Sequence, residues 1–305
     1  MATVVLFWTN LPRPSQTCDD WQNSELQFSP FHELVLQSHE RLGNTVELWT
    51  YQRVEEWQYT NIKLCNADTL YPADHIYRSL NRGHSIAFVS DACRLKRASE
   101  VEGIVLDMDC VCLRPFPDGD SWFATMPSKK TGGFAPQWGK NKPPFTVHDG
   151  SWNGRELAIF PIKVGPHTRR PIKELADWIV LRMSNRPSGS SNEWNKILWT
   201  VKEIANKDTT ATVYQPLYMS PLPAWLGKNS CYSMESPTRL TGDTVLFGHR
   251  LPSIKEIFDN SYCVAHFFES TFSNSTSINT VLWQNLPPDC LLAKEYEFVM
   301  NSRIP

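Results

Sequence analysis

Short apolar runs alternate with stretches of helical spacing through the first third of the chain. Val4 to Trp8 is a continuous apolar run, which predicts a short strand buried on both faces. It ends at Thr9-Asn10-Leu11-Pro12, where Pro12 and Pro14 forbid further regular pairing. Phe31 to Leu42 carries apolar residues at 31, 34, 35 and 42 and stops at Gly43-Asn44, a helix with a glycine terminator. Val46-Glu47-Leu48-Trp49 alternates and predicts the second strand. Asp68 to Leu80 reads as helical after Pro72, while His84 to Phe88 fits neither period. Ser90 is the expected cap of a helix from Asp91 to about Glu102, ended by Gly103. Ile104-Val105-Leu106 is then a buried strand with Asp107 at its C-terminal end. Strand and helix in alternation predict an α/β fold with a mostly parallel central sheet flanked by helices.

The texture changes after Arg114-Pro115. Residues 115 to 170 hold many Pro, Gly and Trp, which predicts loops and short strands. Pro171 to Met183 places Ile172, Leu175, Ala176, Ile179 and Met183 on one helical face, with Pro171 in the first turn. A polar loop, 184 to 191, separates it from a second amphipathic helix over Glu193 to Ala205. From Tyr214 onward, short strands and Pro-rich turns are expected, and no internal repeat is visible.

At 305 residues the chain can hold a core without disulfides or a structural metal. Its 30 basic and 32 acidic residues give a net charge of −2, which argues against a dedicated nucleic-acid binder. No apolar run approaches the ~20 residues a spanning helix requires. Val4 to Trp8 lacks the flanks of a signal peptide, so a cytoplasmic protein is expected. The eight cysteines form no C-x-x-C pair and read as reduced thiols, with Cys110 and Cys112 packed inside. Twelve tryptophans are unusual, and aromatic faces suit sugar rings and bases, although a large aromatic core accounts for most of them.

The sharpest local feature is Asp107-Met108-Asp109. In open α/β sheets, ligands bind beyond the carboxyl ends of the strands. Two carboxylates one residue apart at that position suit Mg²⁺ or Mn²⁺, hard cations that keep open sites for phosphate oxygens. A second pair, Asp118-Gly119-Asp120, follows no strand and reads as a solvated loop. Asp91 and Arg94 lie three apart on one helix face, the spacing of an ordinary surface ion pair.

Together these residues carry a resemblance. Ser90-Asp91-Ala92-Cys93-Arg94, followed by Glu102-Gly103-Ile104-Val105-Leu106-Asp107-Met108-Asp109, resembles the signature of the DXD glycosyltransferases with the GT-A fold. That group includes Golgi mannosyltransferases, capsular polysaccharide transferases and clostridial glucosylating toxins. Val5-Leu6-Phe7-Trp8, Leu42 to Trp49 and Tyr262 to Ser270 are similar to further segments of the family. The likeness covers about residues 1 to 116 and thins thereafter. Glu102 stands where the family has a first glycine, Val105 replaces a tyrosine, and the terminal tryptophan is missing.

The resemblance implies one glycosyltransferase domain over 1–305, with a donor half at 1–116 and an acceptor half at 117–305. Asp107 and Asp109 would hold Mn²⁺ or Mg²⁺ and the diphosphate and ribose of a nucleotide sugar, a UDP- or GDP-sugar. Asp91 and Arg94 would bind hydroxyls of the donor sugar. Trp8 would face the base, with Thr9 beside it. His266 would approach the metal or diphosphate, with Ser270 near the phosphates. The acceptor would be a glycan or another hydroxyl, with a modified base not excluded and retention of configuration expected. By its residues alone, His266 sits between apolar neighbours as a core histidine does. Were the reaction inverting, Asp149 is the best candidate base and Trp152 a stacking platform, in a stretch that equally suits a plain loop. Two other readings stay open. Val105 to Val111 also resembles the nucleophile strand of haloacid-dehalogenase phosphatases, with Thr241-Gly242-Asp243-Thr244 as a late segment. A non-catalytic sugar-binding protein is the third.

Overall fold

The structure is a computed structural model that describes residues 2–126, 145–146, 156–185, 191–214, 216–219, 221, 240, 245–246, 249–266 and 290–301. Its centre is an eight-stranded sheet in the order β3-β2-β1-β4-β8-β6-β9-β7. The strands are β1 (Val4–Phe7), β2 (Val46–Thr50), β3 (Ile62–Asn66), β4 (Ile104–Val105), β6 (Trp122–Met126), β7 (Phe145–Thr146), β8 (Glu156–Lys163) and β9 (Thr212–Tyr214). Four pairings are parallel: β2 with β3, β1 with β2, β1 with β4, and β6 with β9. Three are antiparallel: β4 with β8, β6 with β8, and β7 with β9. Strands from before and after residue 116 therefore share one sheet. Two small ladders lie beside it. β5 (Cys110–Cys112) pairs antiparallel with β12 (Cys263–Ala265), and β10 (Val245–Leu246) with β11 (His249–Arg250).

The helices are α1 (Cys18–Asn23), α2 (Pro30–Arg41), α3 (Ala73–Asn81), α4 (Ile86–Val101), α5 (Arg169–Asn185), α6 (Ser191–Lys207), α7 (Pro216–Met219), α8 (Ile254–Asn260) and α9 (Leu291–Asn301). They cover both faces of the sheet, and β1 shows why its sequence is a continuous apolar run. Val5 and Phe7 pack in one cluster with Ala92, Leu95, Ile172 and Ile197 from α4, α5 and α6. Val4 and Leu6 point the other way, into a cluster with Leu36 of α2. A strand buried on both faces cannot alternate apolar and polar positions. A third cluster joins α2, α8 and α9 around Phe31, Leu240 and Val299.

Several expected boundaries move. Helix α4 begins after Ser85, whose hydroxyl accepts from the Ala87 amide, so Ser90 lies inside the helix and caps nothing. The helix ends where expected, at Val101 with Glu102 as its C-cap, but the left-handed residue, at φ 54°, is Glu102 and not Gly103. Gly103 is instead a point of close approach, where a Cβ would stand 2.7 Å from the Thr3 carbonyl oxygen. The missing side chain lets β4 enter the sheet against the chain leading into β1. Strand β3, with the half-exposed pattern Ile-Lys-Leu-Cys-Asn, was not expected from the sequence.

The thiols of Cys93, Cys110, Cys112 and Cys263 are buried, and burial pushes each pKa up, to about 12 for Cys93. The seven cysteines among the described residues are free. Trp21 and Trp122 are fully buried, in keeping with an aromatic core, whereas Trp199 is 62% exposed. Among the described residues no helix is long and apolar enough to cross a membrane.

Candidate functional site

The parallel strands β1 and β4 run side by side, with Val4 opposite Ile104 and Val5 opposite Val105. The Leu106 amide continues the ladder by donating to the Val5 carbonyl at 3.3 Å. Both chains therefore leave the sheet at the same edge, Trp8 and Thr9 from β1 and Asp107 from β4. Asp107 to Cys110 is a tight turn closed by the Cys110 amide on the Asp107 carbonyl at 3.2 Å. Met108 at its tip is buried and anchors the turn in the core, while Asp107 and Asp109 on either side are only half-buried. The peptide alternates acid, anchor, acid because a turn pinned by an apolar side chain leaves its flanking positions to the surface.

Helix α4 supplies the electrostatic centre. The Arg94 guanidinium lies 2.8 Å from Asp91 Oδ1 and 2.6 Å from Asp107 Oδ1. Its Nε donates to the Ser90 carbonyl at 3.2 Å, and the group lies over the Phe160 ring of β8 at 4.1 Å from the centroid. Arg94 and Asp91 are 1% and 2% exposed, so the spacing that suggested a surface pair belongs to a buried one. The Asp107 side chain keeps 40% of its surface. One buried cation thus serves two carboxylates, of which one is sealed and the other faces solvent. A buried guanidinium with several partners fixes geometry in a way an exposed pair does not.

At the end of β1, the Trp8 indole N–H donates to the Gln27 carbonyl at 3.0 Å, and the ring lies on His32 with centroids 3.9 Å apart. Burial pushes the His32 pKa down to about 4, so that imidazole is neutral at neutral pH. Thr9 is buried and its hydroxyl donates to the Gln52 side-chain oxygen, which also accepts the Asn10 amide at 3.0 Å. Gln52 Nε2 in turn donates to the Trp21 carbonyl at 3.3 Å. The β1 exit is held by this network. Gln52 escaped the sequence reading because it stands 43 residues from Thr9 with no motif around it.

His266 follows β12, and its backbone amide donates to the Asp109 carbonyl at 3.0 Å. Its ring is 1% exposed and meets the Phe31 ring edge-on at 5.2 Å. His266 Nε2 lies 2.9 Å from Glu295 Oε2, on the fully buried face of α9. Burial drives the Glu295 pKa up, and His266 pulls it back. Glu295 was also missed, although a signal exists: it shares a helical face with Leu291, Leu292 and Val299, a lone acid in an apolar stripe.

Asp91, Arg94 and Asp107 are therefore brought together, with Asp109 two residues on in the same turn and its carboxylate beside the Cys110 thiol. Trp8 and Thr9 leave the same sheet edge, and His266 touches the Asp109 turn through its backbone. Asp149, Trp152, Ser270 and the Thr241–Thr244 segment lie outside the described residues. Among the described residues, no three His, Cys, Asp or Glu side chains converge as metal ligands. Asp118 and Asp120 are exposed, as expected of a solvated loop. A groove of about 340 Å³ lies elsewhere, between α5 and α6 around Trp178, Lys196 and Thr200, and contains none of the residues nominated from sequence.

No family model matches the chain, and no curated protein does. Among solved structures it is similar to the PaToxG glycosyltransferase, at 12% identity over 67% of this chain and 73% of that one, with a TM-score of 0.35.

Proposed function

We propose that this chain is a metal-dependent glycosyltransferase that moves a sugar from a nucleotide-diphosphate donor, a UDP- or GDP-sugar, to a hydroxyl acceptor such as a glycan. The observation that carries the reading is the Asp91–Arg94–Asp107 cluster at the shared exit of β1 and β4. It joins the Ser90–Arg94 stretch to Asp107, two of the stretches on which the resemblance to the DXD family rests.

Asp107 and Asp109 offer half-buried carboxylate oxygens at the solvent edge, a donor set that suits Mn²⁺ or Mg²⁺ retaining water and phosphate ligands. Such a cation, when bound, stabilises the negative charge that gathers on a departing diphosphate. Arg94 sets the direction of the Asp107 carboxylate. Asp91 and Arg94 are too deeply buried for the direct contact with sugar hydroxyls that the resemblance implies, so in this reading they act on the donor sugar by orienting Asp107. Trp8 and Thr9 flank the base, Ser270 closes the donor site from the C-terminal side, and His266, its ring buried against Phe31 and Glu295, bears on that site through its backbone bond to Asp109. Transfer is retaining in this reading. Asp149 would be the acceptor base were it inverting. The chain acts as a single cytoplasmic domain.

The test is a thermal-shift series with UDP- and GDP-sugars, each with Mn²⁺. One nucleotide class should raise Tm, since a ligand at a hundred times its Kd adds about 2.7 kcal/mol of stability. No response to either class, together with hydrolysis of a generic phosphate ester, would overturn the reading in favour of a dehalogenase-like phosphatase.

A further inference from the structure

The residue that follows β12 and the turn that follows β4 are tied together from behind. β12 lies antiparallel on β5, so that Ala265 faces Cys110 and the next residue, His266, bonds to the Asp109 carbonyl. The ladder places the backbone beneath the imidazole. The ring's fixed neighbours are the Phe31 ring from α2 and the Glu295 carboxylate from α9, 2.9 Å from Nε2. Helix α9 is itself anchored on α2, with the Arg41 guanidinium 3.7 Å above the Phe298 ring and donating to the Phe298 carbonyl. A covalently remote helix, packed on the β5–β12 ladder by Leu291, Leu292 and Val299, thus also places a carboxylate on the residue bonded to the acidic turn.

We propose that Glu295 is a positioning residue which, through the His266 imidazole, holds the Asp109 turn in its site geometry. Burying a carboxylate is costly unless a partner answers it, and His266 is the partner the geometry provides. A carboxylate 2.9 Å from Nε2 favours the tautomer that carries its proton there and, with the Phe31 ring, one ring orientation. The backbone of His266 then cannot shift without separating that pair, and the Asp109 carbonyl is held with it. The effect on donor binding rests on the function proposed above, whereas the effect on the turn does not.

The experiment is long-range ¹H–¹⁵N NMR and amide exchange on the full ligand-free chain, as wild type, Glu295→Gln and Glu295→Leu. The wild type should carry the His266 ring proton on Nε2. Glu295→Gln should keep it there, because an amide oxygen still accepts it. Glu295→Leu should redistribute the tautomers and speed exchange of the His266 amide. Its affinity for a nucleotide sugar with Mn²⁺ should fall by about tenfold or more, as for lost outer-shell partners elsewhere, while the Gln variant stays close to wild type. A folded Leu variant with wild-type tautomer and exchange would overturn the proposal. Should that variant fail to fold, a ring proton on Nδ1 in the wild type or the Gln variant overturns it equally. A wild type that binds no nucleotide counts against the donor-site reading, and the ligand-free NMR still decides this one.

Discussion

Two acidic tripeptides of the same form, Asp107-Met108-Asp109 and Asp118-Gly119-Asp120, lie within fourteen residues of each other. They have nothing else in common. The first closes a buried strand that pairs parallel with β1 and antiparallel with β8, its middle residue is a core anchor, and its first acid is ion-paired to a buried arginine. The second is exposed throughout, with Gly119 at φ 129°, a backbone shape that L residues rarely adopt. Its nearest fixed neighbours are the Lys163 ammonium on the Gly119 carbonyl and Gly165, where an added Cβ would stand 2.1 Å from the Asp120 carbonyl oxygen. The same residue types become a candidate site in one place and a surface turn in the other because of what lies behind them.

The comparison breaks first at Arg94. Arg94→Met keeps much of the side-chain volume but leaves Asp91 buried without its cation and Asp107 without its guide. Stripping one partner from a buried ion pair costs about 3–5 kcal/mol, and urea denaturation should show a loss of that size. The exposed pair Arg78–Asp74, whose side chains keep 63% and 62% of their surface, is the control. Arg78→Met should cost under ~1 kcal/mol. Equal losses at the two positions would show that burial is not what distinguishes the first cluster.

Asp109→Asn separates chemistry from stability. The side chain is half-buried and the turn is held by backbone bonds, so the folded state should lose no more than about 1 kcal/mol. Metal-dependent nucleotide-sugar binding and transfer should fall by about a hundredfold or more, the scale seen when an electrostatic stabiliser is removed from a site. Unchanged donor affinity would remove Asp109 from the metal site.

This contrast also explains which parts of the molecule could be read from the sequence. β1 and β4 were legible because strands buried on both faces leave unbroken apolar runs, and α5 and α6 because each buries one face at helical spacing. β3 was not, since Ile62 to Asn66 is half-exposed and too short for its alternation to stand out. The start of α4 was misplaced because Ser90 has the chemistry of a cap, and only the fold shows Ser85 in that role. At the candidate site, Asp91, Arg94 and Asp107 stand in local motifs, and their meeting joins two stretches already conspicuous in the sequence. Gln52, Phe160 and Glu295 were not found, because each reaches its partner from tens of residues away and a linear pattern holds no trace of such a meeting.

The support behind the first acidic turn should also respond to acid. His39 is buried in α2, its Nδ1 is 3.1 Å from the Asn44 amide nitrogen, and its ring faces the Cys112 thiol of β5. Burial pushes its pKa down to about 3 from the ordinary 6.5. The unfolded chain therefore takes up a proton below pH 6.5 that the folded chain refuses until about pH 3. Stability from this group is complete above pH 6.5 and declines as pH falls toward the folded value. At pH 5 the loss is roughly 2 kcal/mol, from 1.36 kcal/mol per pH unit. Urea curves at pH 7.5 and 5.0 should show wild type losing that much more than His39→Asn. A variant with the same acid sensitivity would mean that the histidine is protonated in the fold and that burial does not govern it.

The smallest effect is expected at the second tripeptide, and it is the control for the whole comparison. Asp118→Asn and Asp120→Asn each remove one exposed charge that has no buried partner to abandon. Surface substitutions of this kind stay within about 0.5 kcal/mol. Nucleotide-sugar affinity should not change, because the Debye length of about 8 Å at physiological salt screens exposed charges from a distant site. A measurable loss of donor binding in either variant would mean that the two turns act together, and that the surface loop lies closer to the chemistry than its exposure suggests. Were Asp120→Asn alone to destabilise the fold, the cause would lie in its contact with Gly165, where backbone meets backbone and a shift in either turn is felt by both.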